Sequence, residues 1–290
     1  MKFPAGLKRG AIGALAVGTF AGALLLGTSV PASAANANPY HQTPAQLAAQ
    51  KLVTHPQLDW LGSTIKSHEP QMARALVTPA IPSGPKGLDV SSHQGAVNWA
   101  SVKANGAQFA YTKATEGTYY TNPDFSQQYT GAYNEHIIRG AYHFATPNTT
   151  GGATQADYFV AHGGGWSQDG LTLPGLLDIE YNPYGAECYG LSQAGMVSWI
   201  LAFSNEYHAR TTRWPVIYTT NDWWTTCTGN KGDFSSTNPL MLACYCSTPG
   251  TMPFAWPFQT IWQYADSGIF PGDQDVFNGT TARITALANG

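Results

Sequence analysis

Gly175-Leu176-Leu177-Asp178-Ile179-Glu180 is an apolar run that closes on two acids. A short stretch of large apolar residues, bounded by Pro174 on one side and polar residues on the other, reads as a strand buried on both faces. Side chains two apart on a strand point the same way, so Asp178 and Glu180 share a face, their Cα atoms roughly 6.6 Å apart. Outward from this segment, strand-like runs occur at 87–91, 108–113 and 138–144 before it. Others follow at 216–220, 240–246 and 260–264, with an eighth at 275–277. Helical spacing fills several gaps. Asn122 can cap a helix opened by Pro123, with Phe125, Tyr129, Ala132 and Tyr133 on one face. Ser192 can cap another that carries Met196, Val197, Ile200, Ser204 and Tyr207, and a short helix over 98–104 meets a stop at Gly106. Strands alternating with helices predict an α/β fold. The later connections are short and rich in Pro and Gly, so the spacing favours a TIM-like barrel of eight strands with a reduced set of helices. An open doubly wound sheet is the alternative, disfavoured because no Gly-rich phosphate loop follows the first strand.

The 290 residues are 43% hydrophobic and 11% charged, which excludes a solvating, disordered chain. Fourteen Lys and Arg against seventeen Asp and Glu, with no basic block, exclude a phosphate-neutralising nucleic-acid surface. The amino terminus is of another kind. Lys2, Lys8 and Arg9 precede an apolar run and then Ala32-Ser33-Ala34, which together predict a secretory signal peptide over 1–35. Its removal deepens the net negative charge and leaves a secreted, extracellular protein with no membrane attachment. Residues 36–85 hold apolar clusters without strand alternation, among them Leu58, Trp60 and Leu61, and end in a Pro- and Gly-rich stretch. They read as a pro-segment or a helical arm with a linker, and 86–290 as the barrel.

Acids mark the strand ends. Besides Asp178 and Glu180, Asp89 closes the first strand, and Asp273 and Asp275 open the last. In a barrel, such residues converge on the mouth where active sites form. Crowded carboxylates repel, and one of them keeps its proton. That pairing suits glycosidic bond cleavage, which needs a proton for the leaving oxygen and negative charge beside an oxocarbenium-like centre. Tyr111, Tyr142, Tyr181, Tyr218, Trp262 and Tyr264 lie at or near strand ends and offer faces on which sugar rings stack. Four cysteines in an exported chain imply oxidising surroundings. Cys244 and Cys246 sit two apart on an expected strand, near the upper limit for a bridge. The reading therefore favours Cys188–Cys227 as one disulfide and leaves Cys244 and Cys246 as buried thiols or undecided. The cysteine spacings form no recognisable zinc site, and the chemistry calls for no metal or cofactor.

Six motifs carry a resemblance to the glycoside hydrolase family 25 lysozymes, or N,O-diacetylmuramidases. They are Gly87-Leu88-Asp89-Val90-Ser91-Ser92-His93-Gln94-Gly95, Lys113-Ala114-Thr115-Glu116-Gly117, Arg139-Gly140-Ala141-Tyr142-His143-Phe144, Leu177-Asp178-Ile179-Glu180, Ile261-Trp262-Gln263-Tyr264 and Asp273-Gln274-Asp275-Val276-Phe277-Asn278-Gly279. They occur in family order and cover essentially all of 86–290. The resemblance implies a flattened eight-stranded barrel and hydrolysis of the β-1,4 bond between N-acetylmuramic acid and N-acetylglucosamine in peptidoglycan. It implies Glu180 as proton donor and Asp178 as the acid that positions the acetamido group or stabilises the charged intermediate. Asp89 and Asp273 follow as further catalytic-site acids. Asp275 stands where the family often has Asn, which leaves the division of work between Asp273 and Asp275 open. Glu116 is a secondary candidate, because a Lys113–Glu116 pair explains it equally well. His143 and Gln263 join the aromatic residues as substrate-binding positions. The expected partner is the peptidoglycan glycan strand, met by a monomer. A chitinase-like hydrolase of N-acetylglucosamine polymers and a non-catalytic wall-binding barrel are the rival readings.

Overall fold

Seven of the expected strands run parallel and in sequence order around a ring. In the computed structural model, which describes residues 54–73 and 83–290, these are β1 (Lys86–Val90), β2 (Ala107–Glu116), β4 (Ile138–Phe144), β5 (Leu176–Asp178), β6 (Val216–Thr219), β7 (Leu240–Ala243) and β8 (Ile261–Ala265). A two-residue strand, β3 (Tyr120–Thr121), pairs with the end of β2 outside the ring. β9 (Asp273–Phe277) runs antiparallel to both β8 and β1 and closes the barrel, while β1 also pairs with β2. The open-sheet alternative is thereby excluded. The expected signal peptide, 1–35, lies outside the described residues.

Helices cover the first connections. Asn98 accepts from the Ser101 N–H at 3.1 Å and caps α3 (Trp99–Ala104), numbered after two short turns, α1 (Ile65–His68) and α2 (Pro70–Ala73), ahead of the barrel. α4 (Phe125–Asn134) starts later than expected. Asn122 accepts from the Asp124 N–H and donates to the Lys113 carbonyl, so it organises the turn before the helix rather than its first residues. α5 (Gly152–Phe159) runs on into a π turn, Val160–Gly164. α6 (Gln193–Thr211) is capped by Ser192 and α7 (Asn221–Thr228) by Thr220, each a hydroxyl accepting a first-turn N–H. The β7–β8 and β8–β9 connections carry no helix, and α8 (Thr281–Asn289) ends the chain.

Alternation along each strand sorts the side chains into two packed layers. On β5, Leu176 enters the lumen with Phe109, Tyr111, Val216, Met241 and Ile261, whereas Leu177 faces the helices and packs with Phe159, Trp199, Phe203, Tyr207 and Trp223. Gly140 lets β4 pass the Tyr111 ring, which a Cβ there would meet at 2.3 Å. The lumen floor is therefore largely filled by apolar side chains, and polar ones gather toward the rim where the parallel strands end. Among the described residues, no helix is long and apolar enough to cross a membrane.

Candidate active site

Asp178 follows Leu176 by two residues and so points into the lumen, with Glu180 two further on, just beyond the end of β5. Asp89 on β1 is paired directly with Asp273 on β9. Because β9 runs against its neighbours, its first residue lies at the same rim as the last residues of the parallel strands. This is how an acid that begins a strand meets acids that end them. Gln263, on the lumen face of β8, ties the pair together. Its Nε2 donates to Asp89 Oδ2 and to Asp273 Oδ2, both at 2.9 Å. Its Oε1 accepts from the Tyr218 hydroxyl at 2.7 Å and the Tyr245 hydroxyl at 3.1 Å. Those two donors fix which end of the amide faces the carboxyl pair.

All four acids are buried, Asp178 and Glu180 with no exposed surface at all. Burial penalises the charged form and is the leading cause of every shift here. It pushes Asp89 up to about 8, against the pull of the Gln263 amide and with help from the Glu180 charge. Glu180 is pushed up to about 7 by burial, opposed by N–H and O–H donors from Thr64 and Gly62. Asp178 is raised well above the usual carboxylate range by burial and by the Glu180 charge, and Asp273 likewise by burial and by Asp89. Asp275, one step deeper on β9, is raised by burial and then by Asp89. At neutral pH the cluster therefore holds protons, as a general acid requires. Among the described residues, no group of three or more His, Cys, Asp or Glu is placed to hold a metal ion.

Comparison with known proteins bears on what such a cluster belongs to. The profile of "Glycosyl hydrolases family 25" matches residues 88–273, which take in Asp89, Glu116, Asp178, Glu180, Gln263 and Asp273. This chain belongs to glycosyl hydrolase family 25. It is 54% identical over 209 residues to the N,O-diacetylmuramidase of Chalaropsis sp., covering 71% of this chain and 99% of that protein. It is 53% identical to Lysozyme M1 of Streptomyces globisporus, over 73% of this chain and 74% of the relative. Among solved structures, a family GH25 lysozyme from Aspergillus fumigatus superposes with a TM-score of 0.71 at 53% identity, covering 72% of this chain and all of that one. The bacterial lysozyme from Streptomyces coelicolor gives a TM-score of 0.70 at 52% identity, over 72% of this chain and 99% of that one.

The family-25 barrel distributes the expected site residues unevenly. Tyr142, Tyr218 and Gln263 face the acid cluster, and the Tyr181 hydroxyl lies at the rim, 2.8 Å from a carboxyl oxygen of Glu69 and 2.8 Å from one of Asp222, either of which can accept its single proton. Tyr111 does not belong with them, since it packs in the lumen core and its hydroxyl donates to the Pro174 carbonyl. His143 points outward, bonded to Thr115 and Gln155 and packed against Phe159 and Phe203. Trp262 and Tyr264 also face outward, because they flank lumen-facing Gln263 on β8 and pack together with Val276. Strand parity, which proximity to a strand end ignores, decides the three outward-facing residues, whereas Tyr111 faces inward but sits too deep. Glu116 is held by Lys113 at 2.7 Å, both fully buried, and by the Tyr119 hydroxyl.

Cys188 and Cys227 form a disulfide between the loop before α6 and helix α7. Cys244 and Cys246 are also bonded, a pair the sequence left open between buried thiols and an undecided state. β7 ends at Ala243, so the chain leaves the extended conformation and brings their Cα atoms to 5.1 Å. Sequence reasoning paired Lys113 with Glu116 but missed it as a neighbour of Asp178 and Glu180, and it missed Tyr245 beside Gln263. Above all it missed the segment before the barrel, which reaches into the site. The Gly62 N–H donates to Glu180 Oε1 at 2.8 Å, and the Thr64 N–H and hydroxyl both donate to Oε2. The only signal for this in the sequence is the apolar cluster Leu58, Trp60 and Leu61 followed by a glycine.

Proposed function

We propose that this family-25 glycoside hydrolase is a secreted muramidase that cleaves the β-1,4 bond between N-acetylmuramic acid and N-acetylglucosamine in peptidoglycan, with Glu180 as the proton donor. The carrying observation is the placement of Asp178 and Glu180 on one lumen face, across from Asp89 and Asp273 joined by Gln263. Relatives named N,O-diacetylmuramidase at about half identity support the same substrate.

In this reading Glu180, protonated by virtue of its burial, gives its proton to the glycosidic oxygen as the bond from that oxygen to the anomeric carbon breaks. Positive charge then grows at the anomeric carbon. Asp178, close enough to feel the Glu180 charge, orients the substrate acetamido group, whose oxygen supports that carbon until water adds and the configuration is retained. Asp89 and Asp273 fix the sugar in the opposite half of the cleft, and Tyr142 and Tyr218 line it. Secretion is supported by the leader-like sequence over 1–35 and by the two disulfides.

The test is release of new reducing ends from purified peptidoglycan by wild type and by Glu180→Gln, with chitin oligomers run alongside. A general acid contributes roughly 10²–10⁴-fold, so the variant is expected to lose at least that order of rate. Equal activity in Glu180→Gln would overturn the assignment, and faster cleavage of chitin would favour the chitinase-like reading.

A further inference from the structure

The acid cluster is buried, and the reason is the chain's own segment ahead of the barrel. Residues 55–69 run across the mouth. The Leu61 N–H donates to the Tyr142 hydroxyl at 3.2 Å, and its carbonyl accepts from Gln263 Nε2 at 3.1 Å. Leu61 and Ile65 are fully buried among the lumen residues, Tyr142, Tyr218 and Tyr245 included. Lys113 donates to the carbonyls of Pro56 and Asp59. At the rim Trp60 stacks on His93 at 4.3 Å, His68 on Tyr181 at 4.2 Å, and Lys66 pairs with Asp266. A carboxyl oxygen of Glu69 lies 2.8 Å from the Tyr181 hydroxyl.

Gly62 is the residue that allows this approach. Its φ is +91°, and a Cβ there would lie 2.5 Å from the Tyr245 hydroxyl, 2.7 Å from that of Tyr218 and 2.8 Å from Gln263 Oε1. Only glycine passes so close to the floor of the cleft in that conformation. The bonds it places are also chemically adverse. Three donors aimed at Glu180 favour its ionised form, whereas proton transfer needs the acid form and an acceptor in the same place. The segment thus occupies the position of the glycosidic oxygen and inverts the demand made on the carboxyl group.

We propose that residues 55–69 are an autoinhibitory plug, holding the enzyme closed until they are displaced or cut away from the barrel. The plug uses Glu180, Gln263, Tyr142, Tyr181 and Lys113, so it competes with substrate for the groups on which the muramidase reading itself rests. Tethered, it acts at a high effective concentration and dilution does not relieve it. Once the tether is hydrolysed by an endopeptidase, the plug must rebind from solution and dilution releases it. The barrel stands without such a segment in relatives. The Chalaropsis muramidase is matched over 99% of its length by 209 residues of this chain, and the Aspergillus fumigatus structure over all of its chain.

The experiment uses the full chain with a site-specific endopeptidase recognition sequence replacing residues 76–81, assayed on purified peptidoglycan at nanomolar enzyme. The uncut protein is expected to be at least about 50-fold slower than the cut protein. Gly62→Val in the uncut chain is expected to recover most of that difference, because the substitution alters the plug and leaves the barrel unchanged. A synthetic peptide of residues 55–69 inhibits the cut enzyme competitively, and the same peptide with Gly62→Val does not. Uncut and cut rates within two-fold of each other overturn the proposal. If the cut chain has no activity on peptidoglycan, the muramidase reading fails instead. The plug is then judged by binding of the peptide to the cut chain through tryptophan fluorescence, where absence of saturable binding overturns it.

Discussion

Asp89 and Asp273 stand directly opposite one another on antiparallel strands, two acids in register with a single amide nitrogen shared between them. Like charges so placed are unfavourable unless one is neutral or both are bonded, and Gln263 Nε2 supplies the bond. Removing it leaves the pair without its common donor.

Gln263→Leu is therefore expected to lower kcat by about 10–100-fold while the protein stays folded. The Gln263 donor lowers the Asp89 pKa, so its loss moves the limb of the pH–rate profile governed by Asp89 to higher pH. The profile is best measured on the severed chain. A variant with unchanged pH dependence would place Gln263 outside the site.

The same burial sets how stability varies with pH. Asp89 and Asp59 are each pushed up to about 8 and Glu180 to about 7, while the unfolded chain titrates near the ordinary carboxylate values. Between about pH 4 and pH 8 the folded state therefore binds more protons than the unfolded one, and stability falls as pH rises. The expected outcome is a melting temperature that is highest on the acidic side and several degrees lower by about pH 8. Asp89→Asn flattens that slope. A melting temperature that rises across this window would contradict the protonated cluster.

Much of this was legible in the residues. The Leu177-Asp178-Ile179-Glu180 pattern alone placed both acids on one face, and the succession of apolar runs gave the barrel. Direction was not legible. Nothing in Asp273-Gln274-Asp275-Val276-Phe277 says that its strand runs backwards, since reversal depends on closing the ring against β1. Facing was lost where position near a strand end stood in for parity, as with His143 and Trp262. The segment 55–69 was invisible for a different reason. Its contacts with Glu180 and Gln263 span more than 100 residues of sequence, and they are made largely by backbone groups that every residue carries.

Lys113 and Glu116 form a fully buried ion pair, and Lys113 is the cation that lowers both Asp178 and Glu180. Removing one partner strands a buried charge, which costs about 3–5 kcal/mol. Lys113→Met is expected to lose stability of that order, and Lys113→Met with Glu116→Gln to regain much of it. Both should show a Glu180 pKa above the wild-type value in pH–rate profiles of the severed chain. A double variant no more stable than the single would refute the pairing.

The two disulfides close loops of very different length, 39 residues for Cys188–Cys227 and two for Cys244–Cys246. Loop-closure entropy then predicts a loss of about 2–4 kcal/mol for Cys188→Ala with Cys227→Ala, and clearly less for Cys244→Ala with Cys246→Ala. Denaturant midpoints of the two variants provide the check, and a reversed order would show that native-state contacts dominate.

Asp275 separates from Asp273 by its partners. Asp273 accepts from Gln263, whereas neither carboxyl oxygen of Asp275 has a hydrogen-bond partner among the described residues, although the side chain is fully buried. An acid in that setting stays neutral and becomes a liability as pH rises, because ionising it requires a charge in the lumen floor beside Asp89. Asp275→Asn keeps the shape and removes the titration. It should melt with wild type at about pH 4, melt higher than wild type at about pH 8, and leave peptidoglycan cleavage by the severed chain within about three-fold. Asp273→Asn, which disturbs the carboxyl pair itself, should cost at least about ten-fold in the same assay. If Asp275→Asn proves the more damaging of the two, the catalytic share belongs to the deeper acid and the role assigned to Asp273 must move with it.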